Sequence, residues 1–291
     1  MFKLYKDAFK VTNDGIILTI PLAVFAWIIT MYVDYSRNAV DTSFKMILSF
    51  ITILFMCSAF CSGWFYMIKK CIKISKKHFI IDNDKNSETL NLLKAIPRGV
   101  GRFFLYYVET CLLFLAIALL MVFLIGFFAL PLKAQIDNVF LNYGINVTTP
   151  QEMKAALNLV KPEIILEIFN KILIPGLELF LSVTLIPFIF SYLIMLWMPE
   201  IIYTYKNPLI ALFTSIKKLF TPLSKSIKLY IFITFLNMII YFISPLSLFN
   251  PILYMAYMIF YFYSLVYIVV LIFLYYDTEF NNKPAKHISK A

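Results

Sequence analysis

Glu109 stands in the run Tyr106-Tyr107-Val108-Glu109-Thr110-Cys111-Leu112, about two turns into an apolar stretch. An ionised carboxylate there is costly unless it is protonated, paired or wetted. Such a group could relay a proton or a cation, with Arg102, Lys228 or the hydroxyl of Tyr263 or Tyr267 as its partner. A carboxylate near the inner interface with access to water accounts for the same residue. Asn237, inside another apolar stretch, could hydrogen-bond between helices, a contact worth about 0.6–2 kcal/mol. Glu109, Asn237 and Tyr267 form the candidate intramembrane polar site. Glu200, after Pro199, and Glu178 fall at the two ends of a third stretch and read as interfacial charges.

Other chemistry is thinly provided. His78 and His287 are the two histidines, too few for most metal sites or general-base sets. Cys57, Cys61, Cys71 and Cys111 lie in or beside apolar stretches, which argues against a disulfide framework or a four-cysteine zinc site. Cys57 and Cys61 are four apart, and Ser58 with Ser62 and Ala59 with Gly63 repeat that spacing. Small residues at i, i+4 let two helices approach closely, so this face reads as packing. Pro21, Pro187 and Pro245 could kink a path, yet proline is ordinary in membrane helices. No catalytic residue, cofactor or metal is expected, and the chain is not expected to be an enzyme.

The elements that hold these residues follow from composition. Of 291 residues, 62% are apolar and 14% charged, with a mean hydropathy of +0.83. A soluble domain is nearer 45–50% apolar and about 25% charged. A spanning helix needs roughly 20 apolar residues, because every backbone polar group must be satisfied within it. Stretches 15–33, 46–68, 103–132, 177–198, 229–250 and 252–275 meet that need. The first ends in Tyr32, Asp34 and Tyr35 without a small-residue cleavage site and reads as retained. The fold class is therefore all-α, a polytopic membrane bundle of six transmembrane helices in one domain, 1–276, followed by a basic tail, 277–291.

The net charge of +10 is a topology signal. With both termini inside, only Arg37, Lys45, Lys133, Lys154, Lys161 and Lys171 fall on the outer side, in keeping with the retention of basic residues on the cytoplasmic face. Trp64, Trp197, Tyr203, Tyr205 and Tyr275 cluster at the inner ends, the headgroup level that such rings favour. The expected location is the inner cell membrane, with no nucleic-acid partner.

Between spans, a short basic amphipathic helix recurs before each outward crossing. Phe2, Tyr5 and Phe9 lie opposite Lys3, Lys6 and Lys10, and Thr12 to Gly15 break that helix. Ser87 caps a second, with Leu90, Leu93 and Ile96 on one side, until Pro97 interrupts it. Asn207 and Pro208 start a third, with Leu209, Leu212, Phe213, Ile216 and Phe220 as its apolar stripe, and Pro222 ends it. Such helices lie in the headgroup plane or pack beneath the bundle as elbows. Lys69, Lys70, Lys94, Arg98, Arg102, Lys217, Lys218, Lys225 and Lys228 are the expected contacts to anionic lipid headgroups, and a membrane protein partner is a further expectation. In the outer loop, 133–176, Thr149, Pro150 and Glu152 form a capping box, and Pro162 starts a helix that Pro175 and Gly176 end. Asn146-Val147-Thr148 matches a glycosylation triplet.

The run Asn207-Pro208-Leu209-Ile210-Ala211-Leu212, with Ser215 and Lys217-Lys218, the closing Leu274-Tyr275-Tyr276-Asp277, and Ala8-Phe9-Lys10 resemble a bacterial six-span family. Its type is the membrane domain of glycerophosphoryl diester phosphodiesterases, together with stand-alone relatives of unknown function. In that family the phosphodiesterase chemistry belongs to a separate soluble barrel, so the resemblance implies a membrane module without inherited catalysis. The function read from the sequence is a membrane-organising or accessory module that contacts anionic lipids or partner proteins. The alternative is a small-solute or ion transporter or channel that uses Glu109.

Overall fold

A computed structural model of the chain describes residues 1–78, 91–145, 161–205 and 207–281. Ser87, Leu90, the 146–148 triplet, the 149–152 capping box and the 282–291 part of the tail lie outside the described residues. Among those described there is no strand. The helices are α1 (Phe2–Asp14), α2 (Thr19–Ala39), α3 (Ser43–His78), α4 (Ala95–Asn142), α5 (Pro162–Ile194), α6 (Trp197–Thr204), α7 (Pro208–Phe220), α8 (Leu223–Ile243) and α9 (Pro251–Tyr276). Six helices are long and apolar enough to cross a membrane. This is the architecture of a multi-pass membrane protein.

Several boundaries differ from the sequence reading. Pro97 does not end a helix. It lies in the first turn of α4, where its missing N–H would have had no partner. Pro131 likewise lies inside α4, which runs for 48 residues, or roughly 70 Å at the α-helical rise. Pro175 and Gly176 do not end the helix begun at Pro162, for α5 continues through them and through Pro187. In an apolar surrounding, opening a helix would leave more backbone groups without water than the single bond a proline removes. In the other direction, α8 stops at Ile243 and a 3-10 stretch, Ser244–Leu248, follows. Of the expected break Thr12 to Gly15, the first three residues stay helical and α1 ends at Gly15, while the breaks at Asn207-Pro208 and at Pro222 are where helices start. Asn250 and Pro251 repeat the Asn-Pro start, with the Asn250 side chain accepting from the Ile252 amide at 2.8 Å.

The described residues gather into two compact units. The smaller, Phe114–Tyr192, contains the later part of α4 and most of α5. Phe140, Ile145 and Ile168 form its buried cluster. Gly144 adopts a φ of +73°, the left-handed turn that lets the Ile145 amide reach back to the Phe140 carbonyl at 3.0 Å. Lys171 donates to Tyr143 Oη at 2.8 Å and to Glu167 at 2.9 Å. A cavity of about 610 Å³ lies between Phe127, Phe128 and Pro131 on α4 and Glu178, Leu181 and Leu185 on α5.

The larger unit comprises the described residues of 1–113 and 193–281. Here α1 packs mainly along α9. Tyr5 stacks on Phe232 of α8 at 4.2 Å, and Tyr263 donates to Asn13 Oδ1 at 2.6 Å. Partial burial raises the Tyr5 hydroxyl above its ordinary value, which keeps it a neutral phenol. Helices α3 and α4 meet on the small-residue face. A Cβ on Gly63 would stand 2.8 Å from Ile96 Cγ2, and one on Gly99 would stand 2.7 Å from the Ser62 carbonyl oxygen. Ser58 Oγ donates to Cys111 Sγ across the same seam at 3.5 Å. Two buried indoles clamp chain breaks. Trp64 Nε1 donates to the Leu18 carbonyl at 2.9 Å, and Trp197 Nε1 to the Pro208 carbonyl at 2.8 Å.

Candidate functional site

The residues named from the sequence as a polar site do not meet. Glu109 is half-buried and accepts a long hydrogen bond, 3.5 Å, from Asn207 Nδ2. Asn207 is the N-cap of α7, and its Oδ1 accepts from the Leu209 amide at 2.9 Å. Tyr267 donates instead to the Tyr5 carbonyl at 3.3 Å, and Tyr263 is committed to Asn13. Asn237 is exposed on α8. Glu109 thus sits beside the start of a short helix rather than beside the tyrosines of α9.

The buried polar centre of the larger unit lies elsewhere. Glu200, in the first turn of α6, has a fully buried side chain and pairs with Lys218 of α7 at 2.6 Å, where Lys218 is 25% exposed. Tyr276, at the end of α9, donates to the same Glu200 oxygen at 2.7 Å and accepts from Lys218 at 2.6 Å. One carboxylate thereby ties three helices together. Below it Lys76 pairs with Asp277, Asn281 donates to Asp277 at 2.7 Å, and Lys225 pairs with Glu279 at 2.6 Å. The turn carrying Asp277 and Glu279 is a π-helical extension of α9, Asp277–Asn281.

The sequence reading took Glu200 as an interfacial charge and missed this knot. A signal was present in α7, where Pro208, Ala211, Ser215 and Leu219 are buried. Small residues at that spacing mark the packed side of the helix, and Lys218 is adjacent to it. Lys217, one residue earlier, is exposed. Of the expected headgroup contacts, Lys218 and Lys225 are therefore held by carboxylates, whereas Lys94, Arg98, Arg102, Lys217 and Lys228 are exposed.

A second constellation is cationic. Lys69 donates to the Ile202 carbonyl at 2.8 Å and to Tyr205 Oη at 3.2 Å, and lies 4.8 Å from the centres of both the Tyr203 and Tyr205 rings. Arg102 lies 4.1 Å from the centre of the same Tyr205 ring. Tyr205 ends α6 in a left-handed conformation, φ 56°, which costs a non-glycine residue about 1–2 kcal/mol. Stacking on Phe103 at 5.1 Å and contact with two cations offset that cost. Among the described residues, no three His, Cys, Asp or Glu side chains gather into a metal site. No family model, curated protein or solved structure matches this chain.

Proposed function

We propose that this protein is a non-catalytic module of the inner cell membrane, with both termini cytoplasmic, that gathers anionic lipids at its cytoplasmic face. The observation that carries this reading is the outward side of the two short helices. On α1, Phe2 and Phe9 are exposed beside Lys3 and Lys6; on α7, Leu209, Ile210, Phe213 and Phe220 are exposed beside Lys217. Exposed apolar groups next to ammonium groups suit the boundary between acyl chains and headgroups, where each basic residue contributes about 1 kcal/mol of attraction to an anionic surface. The resemblance to the membrane domain of glycerophosphoryl diester phosphodiesterases fits this reading, because in that family the phosphodiesterase chemistry belongs to a separate soluble barrel.

Lipid analysis of the purified protein tests it. The wild type is expected to carry a shell enriched in anionic lipid relative to the bulk membrane. Lys3→Glu, Lys6→Glu and Lys217→Glu combined should remove most of that enrichment with an unchanged Tm. The same lipid composition around the wild type and the triple variant would reject the reading. Lys218→Glu is expected to behave differently, lowering Tm, because it places two carboxylates together at Glu200.

A further inference from the structure

The cations around Tyr205 are arranged for a ligand. Lys69 and Arg102 share one ring, and Lys70 lies over the neighbouring Tyr66 at 5.8 Å. Among the described residues, no ion pair joins a carboxylate to any of these three cations. By contrast, Lys76, Lys218 and Lys225 in the same unit each have one. Lys69 and Arg102 lie 4.8 and 4.1 Å from the centre of one ring, and the repulsion between two cations gathered on one ring is offset only in part by its faces. An anion rich in acceptor oxygens would relieve that repulsion.

The site also has shape. Lys69 and Lys70 follow the apolar stretch of α3, and Arg102 precedes that of α4. The Gly63 and Gly99 seam brings these two helices together close by. Tyr205, in its left-handed turn, has the guanidinium carbon of Arg102 4.1 Å from its ring centre, and the Arg102 side chain is exposed. A planar N–H edge matches two oxygens of a phosphate, with a lysine supplying a further point charge. Three cations favour a phosphomonoester, which carries about −1.5 to −2 charges, over a monoanionic diester.

We infer that Lys69 and Arg102 around Tyr205, with Lys70 on the adjacent Tyr66, form a discrete site for a phosphate group, supplied by a phosphomonoester lipid headgroup. The inference rests on the membrane reading above but asks for one bound molecule rather than an enriched shell. Native mass spectrometry of the intact protein in detergent, titrated with phosphatidic acid, phosphatidylglycerol or a neutral lipid, is the test. One tightly retained phosphatidic acid is expected, held several-fold better than phosphatidylglycerol. Arg102→Gln should weaken that retention about tenfold with a Tm loss of no more than about 2–4 °C, and Arg102→Lys should restore only part of the retention. Lys217→Glu, which acts on the shell, should leave the single lipid in place.

Inorganic phosphate at millimolar concentration identifies the source. Failure to displace the lipid supports a headgroup site. Displacement supports the phosphate site and assigns it to a soluble phosphate ester. Retention unaffected by Arg102→Gln would overturn the site, as would equal losses in Arg102→Gln and Lys217→Glu. In that second case diffuse attraction remains, and the shell reading survives without the site.

Discussion

Gly99→Ala is expected to destabilise the protein by about 3 kcal/mol, near the upper end for overpacking a tight contact. The added methyl would stand 2.7 Å from the Ser62 carbonyl oxygen, 2.8 Å from Tyr66 Cβ and 2.9 Å from Gly63 Cα. Two of those atoms are backbone, so no side-chain rotation relieves the clash and α3 and α4 must separate. Separation would open the Ser58 to Cys111 contact and the tilted ring contact between Tyr66 and Phe103. Gly101→Ala is the matched control. It lies two residues along the same helix, where a Cβ meets nothing within 4 Å, and alanine has the better helix propensity. Thermal unfolding in detergent should show Gly99→Ala roughly 5–10 °C below wild type and Gly101→Ala at or above it. Equal losses at both positions would sink the packing account.

Glu200→Ala should be at least as damaging. Removing one partner of a buried pair leaves the other charge without its compensation, a loss of about 3–5 kcal/mol. Here it also strips the Tyr276 hydroxyl of its acceptor. Glu200→Gln, which keeps an acceptor oxygen, should lose less. The decisive variant is Glu200→Leu combined with Lys218→Met. Replacing both charges with apolar groups of similar size is often neutral or better, so the double variant should recover much of the stability that either single variant loses. Tm values of the four proteins form the cycle. Purely additive losses would show that Glu200 and Lys218 are not energetically coupled.

The spans were legible because hydrocarbon imposes a length and a composition that any 20-residue window displays. Helix starts were legible where a residue carries its own backbone partner, as Asn207 does. The same Asn-Pro signature at 250–251 was present and passed over. Prolines misled in the other direction. Pro97 reads as interrupting a helix and Pro175 as ending one, whereas Pro97 lies in the first turn of α4 and α5 runs through Pro175. The charged knot was the least legible part. Lys217 and Lys218 are adjacent in sequence but about 100° apart on the helix, and only the burial of Ala211 and Ser215 shows which of them turns inward. Glu109 suggested chemistry through its depth in a span, but its neighbour, Asn207, comes from a helix start nearly a hundred residues later, a pairing that no local period encodes.

The indole clamps carry a consequence for how this chain can change in length. The breaks after α1 and after α6 look like places where an extra residue would be absorbed. Yet the Leu18 carbonyl must meet Trp64, and the Pro208 carbonyl must meet Trp197. One inserted helical residue advances the chain by about 1.5 Å and turns it by about 100°, enough to swing either carbonyl out of reach. It would also turn the lysines of α1 or α7 toward a different side. Both junctions therefore act as rulers, fixing the count of residues between neighbouring helices even where their identity is free to vary.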